Sequence, residues 1–289
     1  MNAMTGQLAP QIAKGYIGQQ LLDNGKLTSQ QAEKVLLLQK ESGIRFGEAA
    51  IKLGFITEDD IQDVLSQQFE YPYLVSGQSA VSEKLVAAYS PFNTEVEALR
   101  SLRSQILLRW VEGGNKSVAL ASYDGNQSSN LLAANLAIVF SQLGERTLLV
   151  DANLREPAQH ELFAVENRKG LTDILAGRSG LEAVQKISEF RDLSLLTAGA
   201  QAPNPQELLS RDKFSKISAE LEQAYDVVIY STSPLQGSAD AQLVASRVKG
   251  VILLANRHIT PLKGLNAAKE QLEMSSATIL GCVLVQDAP

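Results

Sequence analysis

The sequence predicts a doubly wound α/β protein with a mostly parallel sheet, preceded by a small helical domain. From residue 117 onward, short apolar runs alternate with stretches of helical periodicity, the pattern of a parallel sheet covered on both faces. Before residue 75, the segments 16–39 and 45–68 match each other at an offset of 29 residues, which indicates a tandem helical repeat. We therefore expect a repeat domain over 1–75, a polar linker over 76–92 and an α/β domain over 93–289.

Composition and charge exclude several classes of function. The net charge of −6 argues against a nucleic-acid-binding surface or an anionic-membrane surface. No stretch approaches the ~20 apolar residues that span a bilayer, so we expect a cytoplasmic protein. The single cysteine, Cys282, lies in an apolar run and is expected to be a buried thiol. His160 and His258 lack the spacing of metal ligands, so no metal site is expected.

Each copy of the repeat is expected to form two short helices. Gly25 and Gly54 mark the end of the first helix, and Thr28 and Thr57 cap the second. The pattern closely resembles the MshEN domain of type II secretion and pilus-assembly ATPases. That resemblance implies a cyclic di-GMP site in which an arginine stacks on guanine and a glutamine closes the site. The matching positions are Tyr16, Gly18, Gln39, Arg45, Gly47 and Gln68.

The first copy departs from this pattern because Tyr16 stands where the motif has arginine, which keeps a stacking plane but loses the charge. The alternative interpretation is a helical docking module in which the glycines and leucines serve packing alone.

The α/β part contains six apolar runs, predicted as buried parallel strands at 117–121, 147–151, 193–197, 226–230, 250–255 and 278–285. Helical patterns lie at 130–143, 206–223, 238–247 and 263–273. A ligand site in such a sheet is expected at the carboxyl ends of the strands. Before the first strand, a helix capped at Asn93 carries Glu97, Arg100 and Arg103 on one slanted face, where they could reach a neighbouring subunit together.

Four segments of the α/β part, 133–137, 144–151, 203–209 and 225–229, resemble the CpsD/CapB family of polysaccharide-biosynthesis tyrosine autokinases. The helical extension makes the resemblance closest to the EpsG type, which is associated with a chain-length determinant. The resemblance implies a P-loop-type sheet, ATP with Mg²⁺, and the cytoplasmic tail of a membrane chain-length determinant as partner. It also implies a peripheral position at the inner membrane through that partner, and a homo-oligomeric ring built through Glu97, Arg100 and Arg103.

The three motifs that carry phosphoryl transfer in this family are altered. The phosphate loop, P-G-E-G-K-S-T in the family, is here formed by Gly125, Asn126, Gln127, Ser128, Ser129, Asn130 and Leu131. Ser129 stands for the lysine, and Asn130 stands for the hydroxyl that ligates Mg²⁺. The second motif keeps Asp151 and Arg155 but has Asn153 in place of its second acid. In the third motif, Ser231 replaces the acid.

Phosphoryl transfer depends almost entirely on positioning and on electrostatic stabilisation by such groups. Since one preorganised donor is worth ~3 kcal/mol of transition-state stabilisation, we expect a pseudokinase without ATP and Mg²⁺ that serves exopolysaccharide synthesis as a scaffold or regulator. Cyclic di-GMP is its candidate ligand. Two alternatives stay open. One is a divergent active autokinase that transfers phosphate from ATP to tyrosine, and the other is a MinD/ParA-like positioning protein.

Overall fold

The computed structural model describes residues 16–58, 60–61, 64, 73–125 and 127–285. The chain divides into two compact units, Met1–Tyr71 and Pro72–Pro289. Within the described residues, no helix is both long and apolar enough to cross a membrane.

The first unit repeats the same helix caps at the two predicted positions. Its helices include α1 (Tyr16–Asp23), α2 (Ser29–Ser42) and α3 (Phe46–Lys52). Thr28 Oγ1 accepts a hydrogen bond from the Gln31 amide, and Gln31 Oε1 accepts one from the Thr28 amide. Thr57 and Asp60 exchange the equivalent pair of bonds 29 residues later. The predicted caps are therefore confirmed, as are the left-handed conformations of Gly25 and Gly54.

Two of the glycines that were predicted as ligand positions lie at contacts between helices. A Cβ on Gly18 would lie 3.4 Å from the ring of Phe46, and one on Gly47 would lie 2.5 Å from Ile61 Cδ1. The two copies are also joined by an ion pair of 2.6 Å between Lys26 Nζ and Asp60 Oδ1. The hydrogen bond from Lys26 is the main cause that lowers the pKa of Asp60. Gly47 is therefore closely packed against Ile61, whereas Gly18 is in ordinary van der Waals contact with Phe46.

The second unit contains a seven-stranded sheet in the order β3-β4-β2-β5-β1-β6-β7. All neighbouring strands are parallel except the antiparallel pair β3–β4. The strands are β1 (Ser117–Ser122), β2 (Thr147–Asp151), β3 (Gln185–Lys186), β4 (Leu193–Leu196), β5 (Val227–Ser231), β6 (Gly250–Asn256) and β7 (Thr278–Val285). All six predicted strands are confirmed. β3 was not predicted because two polar residues give no apolar run.

Helices cover both faces of the sheet, as predicted for a doubly wound fold. They are α4 (Val86–Tyr89), α5 (Thr94–Ile106), α6 (Gln127–Gln142), α7 (Gln159–Leu162), α8 (Leu171–Ala176), α9 (Pro205–Ser210), α10 (Asp212–Ala224), α11 (Asp240–Val248) and α12 (Leu262–Met274). A π-helical turn, Leu107–Val111, continues α5. The helix predicted over 206–223 is in fact two helices, because Arg211 between α9 and α10 adopts an extended conformation.

The segment expected to be a linker, 76–92, differs from that expectation because it packs into the second unit. Its apolar residues Val81, Leu85, Ala87 and Ala88 are buried against α6 and its neighbours. The Ala87 amide donates a 2.8 Å hydrogen bond to Asn135 Oδ1 on α6. The small polar residues at its start therefore mark a turn and not a free connection.

The last strand corrects two expectations. β7 forms the edge of the sheet, and every residue in it is partly or fully exposed, whereas a buried strand was predicted. Cys282 is exposed for the same reason, and the expectation of a buried thiol is wrong. The apolar composition of β7 did not distinguish an edge strand from a central one, because that difference depends on strand order.

Candidate functional site

The three altered motifs meet at the carboxyl-terminal edge of the sheet. β1, β2 and β5 are adjacent parallel strands, so their ends lie side by side, and Asp151 is the register partner of Ser231. α6 begins at Gln127, directly after the loop that leaves β1. Ser231 Oγ donates a 2.9 Å hydrogen bond to Asn130 Oδ1 on α6. The structure thus brings together the site residues of all three motifs.

The phosphate-loop segment carries short neutral side chains. Gly125 lies against Pro234, where a Cβ would be 3.1 Å from Pro234 Cγ. Ser128 and Ser129 are buried in the first turn of α6, and Ser129 Oγ has no hydrogen-bond partner among the described residues. Leu131 packs against the core below. Asn126 lies outside the described residues.

Asp151 is fully buried, and both of its carboxylate oxygens are used by backbone amides. Oδ1 accepts from the Asn153 amide at 3.2 Å, while Oδ2 accepts from the amides of Ala158 and Gln159 at 3.0 Å each. Burial raises the pKa of Asp151 to about 6, against the opposing effect of these hydrogen bonds. Asn153 Oδ1 accepts from the Glu156 amide in the same turn. Both side chains therefore organise the loop after β2.

These contacts form one closed network across the site. Gln159, whose amide binds Asp151, donates from Nε2 to the Asn130 carbonyl at 3.1 Å. Asn130 then receives the Ser231 hydroxyl, and the Ser231 carbonyl accepts a 2.8 Å bond from the Ala152 amide beside Asp151. The network holds the ends of β2, β5 and α6 together through the Asp151 carboxyl group and through hydrogen bonds between neutral groups.

Arg155 is held by a partner that sequence reasoning missed. Its Nε and Nη2 atoms donate to the two carboxylate oxygens of buried Asp240, at 2.7 Å and 3.2 Å. This bidentate bond raises the pKa of the Arg155 guanidinium above its usual value. Asp240 is the first residue of α11, and its position shortly after the third motif was the available signal. Arg155 also lines a cavity of about 430 Å³ with Leu154, Gln201, Ala202, Pro203 and Pro205.

A second polar cluster at the same edge of the sheet was also missed. Asp124 follows β1, and its carboxylate accepts hydrogen bonds from Asn256 Nδ2 at 3.1 Å and from Thr260 Oγ1 at 2.7 Å. These contacts join the loops after β1 and β6. An acid two residues after a strand was the only signal in the sequence.

The residues present do not fit Mg²⁺–ATP as the family resemblance requires. Ser129 offers no charge at the lysine position, and the Asn130 amide and the Ser231 hydroxyl bind each other. Asp151 survives, but the backbone amides occupy its oxygens. Phosphate would therefore meet a neutral loop, and Asp151, the one acid that the three motifs keep, already binds three backbone amides.

The predicted oligomerisation residues lie on α5, but they do not face outward together. Glu97 is 61% exposed and pairs with Arg100, which is only 14% exposed. Arg103 Nη1 donates a 2.6 Å hydrogen bond to the Val139 carbonyl of α6. This contact corrects the expectation that all three charges extend together toward a neighbour, because Arg103 is used within its own chain.

The structure describes all of the candidate cyclic di-GMP positions except Gln68. Tyr16 begins α1, Arg45 is the exposed residue before α3, and Gln39 is half-buried on α2. Gly18 contacts Phe46, the residue next to Arg45. Gln68 lies outside the described residues. The described part of the chain contains no cluster of three or more metal-ligating side chains.

Comparisons with known proteins identify the family. No family model matches the chain. The tyrosine-protein kinase YwqD of Bacillus subtilis is 34% identical over 206 residues, which cover 71% of this chain and 87% of YwqD. The kinase domain of the Escherichia coli tyrosine kinase ETK has a TM-score of 0.69 at 28% identity, covering 73% of this chain and 84% of that domain. The chimerical protein CapA2B2 has a TM-score of 0.67 at 29% identity, and the match covers 81% of this chain and 100% of CapA2B2.

The chain therefore belongs to the bacterial polysaccharide tyrosine-protein kinases, with a P-loop-type fold. This confirms the predicted kinase branch. The sequence identity to the kinases favours the kinase family over the MinD/ParA-like alternative.

Asp151 should make stability depend on pH between 5 and 7. Its folded pKa of about 6 lies above the ordinary 3.8, so the folded state holds the proton longer and stability falls as pH rises through 6. The free energy of unfolding should fall by about 1 kcal/mol from pH 5 to pH 7. Urea unfolding of the wild type and of Asp151→Asn at both pH values measures this difference.

The amide introduced by Asp151→Asn does not titrate, so the variant should lose this pH dependence. It should also be less stable at both pH values, since an amide nitrogen cannot accept the backbone hydrogen bonds. The lowered pKa values of Asp173 and Asp226 place their titration below this window. Equal pH dependence in the wild type and the variant would contradict the assignment.

Proposed function

We propose that this chain is a catalytically degenerate member of its family, a scaffold or regulator in exopolysaccharide biosynthesis. The observation that carries the proposal is the Ser231–Asn130 hydrogen bond. It joins the position of a catalytic acid to the position of a metal-binding hydroxyl. These two positions stabilise each other instead of a metal ion.

Electrostatics supports the same conclusion. The resemblance assigns one cation, two carboxylates and a metal-binding hydroxyl to positions now held by Ser129, Asn153, Ser231 and Asn130. Each preorganised group of this kind contributes ~3 kcal/mol to transition-state stabilisation, and losses within one site are not additive. Even the loss of one such group would lower the rate by two orders of magnitude or more.

A divergent active autokinase is the second candidate. Its support is that Asp151 and Arg155 are retained and that the relatives are named tyrosine-protein kinases. Under this alternative, ATP would donate phosphate to tyrosine through a loop of unusual chemistry.

The full-length protein should form no phosphotyrosine when it is incubated with ATP and Mg²⁺. The physical reason is the neutral loop, and the measurement is mass spectrometry of tyrosine-containing peptides, with YwqD treated in parallel as the positive control. Phosphotyrosine that forms in the wild type and disappears in Asp151→Asn would establish the active autokinase instead.

The proposed partner is the cytoplasmic tail of a membrane chain-length determinant, which would hold the protein at the inner membrane. A homo-oligomeric ring through Glu97, Arg100 and Arg103 would couple to it. The exposed carboxylate of Glu97 is the group of this set best placed to meet a neighbour. Arg100 and Arg103 would then act mainly by orienting α5 and Glu97.

The variant Glu97→Lys should lower the oligomer mass measured by light scattering, because it reverses the one charge of the set that is largely exposed. The matched control is Glu95→Lys, which makes the same change at an exposed position of the first turn of α5. If both variants keep the wild-type mass, the ring interface is wrong. Unfolding curves confirm that the variants stay folded.

We also propose that the tandem-repeat domain over 1–75 binds cyclic di-GMP. Arg45 supports this proposal, since an exposed guanidinium can stack on guanine and also neutralise phosphate. The contact of Gly18 with Phe46 places the first copy beside the start of α3, so one ligand could touch both copies. The docking-module alternative requires only the packing role of the glycines.

Calorimetric titration of cyclic di-GMP onto the full-length protein tests this site. Arg45→Ala should weaken binding by roughly tenfold or more, the effect of losing a stacked and charged contact. Lys52→Ala, which removes an exposed cation from the last position of α3, should leave affinity unchanged. A titration without heat change on the wild-type protein would favour the docking module.

A further inference from the structure

The edge strand β7 has the composition of a strand that pairs with another strand. It runs for eight residues, Thr278–Val285, without a charged residue or a proline. Among the described residues, no strand pairs with its outer edge. Exposed edges usually carry charges, prolines or bulges that prevent pairing with another chain. The one irregularity here lies at Leu280, between the partners of Val251 and Ile252, and leaves 281–285 regular.

In the regular part of β7, 281–285, the backbone presents two residues to the outer edge. Val285 accepts a 2.8 Å hydrogen bond from the Arg257 amide, so its carbonyl points inward, toward the β6 side. Peptide groups of alternate residues point to opposite sides of a strand. The amides and carbonyls of Cys282 and Leu284 therefore point outward and form a short template for strand addition.

The side chains of the same two residues are exposed on one face of the sheet. Leu284 is 65% exposed and Cys282 is also exposed. Val283 and Val285 point to the other face and pack against the core that includes α5 and α6. A groove of about 180 Å³ lies on that side, between the end of α5 and residues Leu280–Val283.

We propose that β7 pairs in antiparallel fashion with β7 of a second copy of this chain, centred on Val283. In this register, Cys282 of each copy lies opposite Leu284 of the other, and each such pair exchanges both N–H···O bonds. Opposite residues of an antiparallel pair share a face, so the exposed side chains of both copies meet on one face. A small thiol beside a large leucine allows the two rows to pack.

A second copy supplies a matching occupant, because its own β7 has the same uncharged and proline-free edge. The protein carries a net charge of −6, so two copies repel wherever acidic surfaces meet. β7 presents no charge to itself, and a two-fold axis through Val283 makes the contact closed and self-complementary. This interface is separate from the exposed charge of Glu97 and does not depend on the proposed loss of catalysis.

Cross-linking at Cys282 tests the pairing in the full-length protein. The two thiols would be diagonal neighbours, ~7–8 Å apart, within reach of a short bismaleimide reagent. Cys282 is the only cysteine of the chain, so a covalent dimer reports this surface alone. We expect a covalent dimer in the wild type whose yield falls on dilution. Absence of the dimer, or a yield independent of dilution, would overturn the proposal.

Two variants at Leu284 distinguish the contribution of backbone strand pairing from that of the leucine side chain. Leu284→Pro removes an outward N–H while leaving the β6 ladder intact, and should reduce the dimer yield roughly tenfold or more. Leu284→Ala keeps the N–H and should retain most of the yield. Equal yields in the two variants would exclude strand pairing. A third variant, Leu284→Lys, serves as a check on folding. Folded sheets tolerate a charge on an edge strand, so this variant should abolish the dimer without lowering thermal stability.

Discussion

The carboxylate of Asp151 holds the functional edge of the second unit together. Three backbone amides converge on it, which fixes the loop after β2 and places Gln159 where it can bind the Asn130 carbonyl. Asn130 in turn binds Ser231, the register partner of Asp151. A buried acid is costly to ionise, and its amide partners offset part of that cost. In this chain, the acid that the family resemblance places in a catalytic motif binds three backbone amides of the loop that follows it.

Under the proposed loss of phosphoryl transfer, the same network keeps the ends of β2, β5 and α6 joined. The family resemblance assigns a lysine to the position of Ser129 and acids to those of Asn153 and Ser231, and each of these positions carries a neutral hydrogen-bonding side chain here. A charged group without a ligand would be left buried and unpaired, whereas hydroxyls and amides can satisfy one another. The substitutions are therefore mutually consistent, and the parallel sheet around them keeps the geometry of its kinase relatives.

Much of the fold follows from the sequence because buried parallel strands form continuous apolar runs and the repeat caps recur at a fixed offset. The features that could not be predicted depend on tertiary position. β7 has the composition of a central strand, but its place in the strand order exposes it. The segment 76–92 is polar at its start, yet Leu85 and Ala87 pack on α6. Asp240 and Arg103 make contacts between elements distant in sequence, which no local pattern encodes.

We propose that neutral side chains, at positions where the family resemblance assigns charged groups, abolish the binding of Mg²⁺–ATP. Its most direct measurement is a calorimetric titration of Mg²⁺–ATP onto the wild type and onto a variant with the charged groups restored: Ser129→Lys, Asn130→Ser, Asn153→Asp and Ser231→Asp. We expect no binding by the wild type and measurable binding by the restored protein. Binding of Mg²⁺–ATP by the wild type, with an affinity that the restoration does not improve, would contradict this proposal.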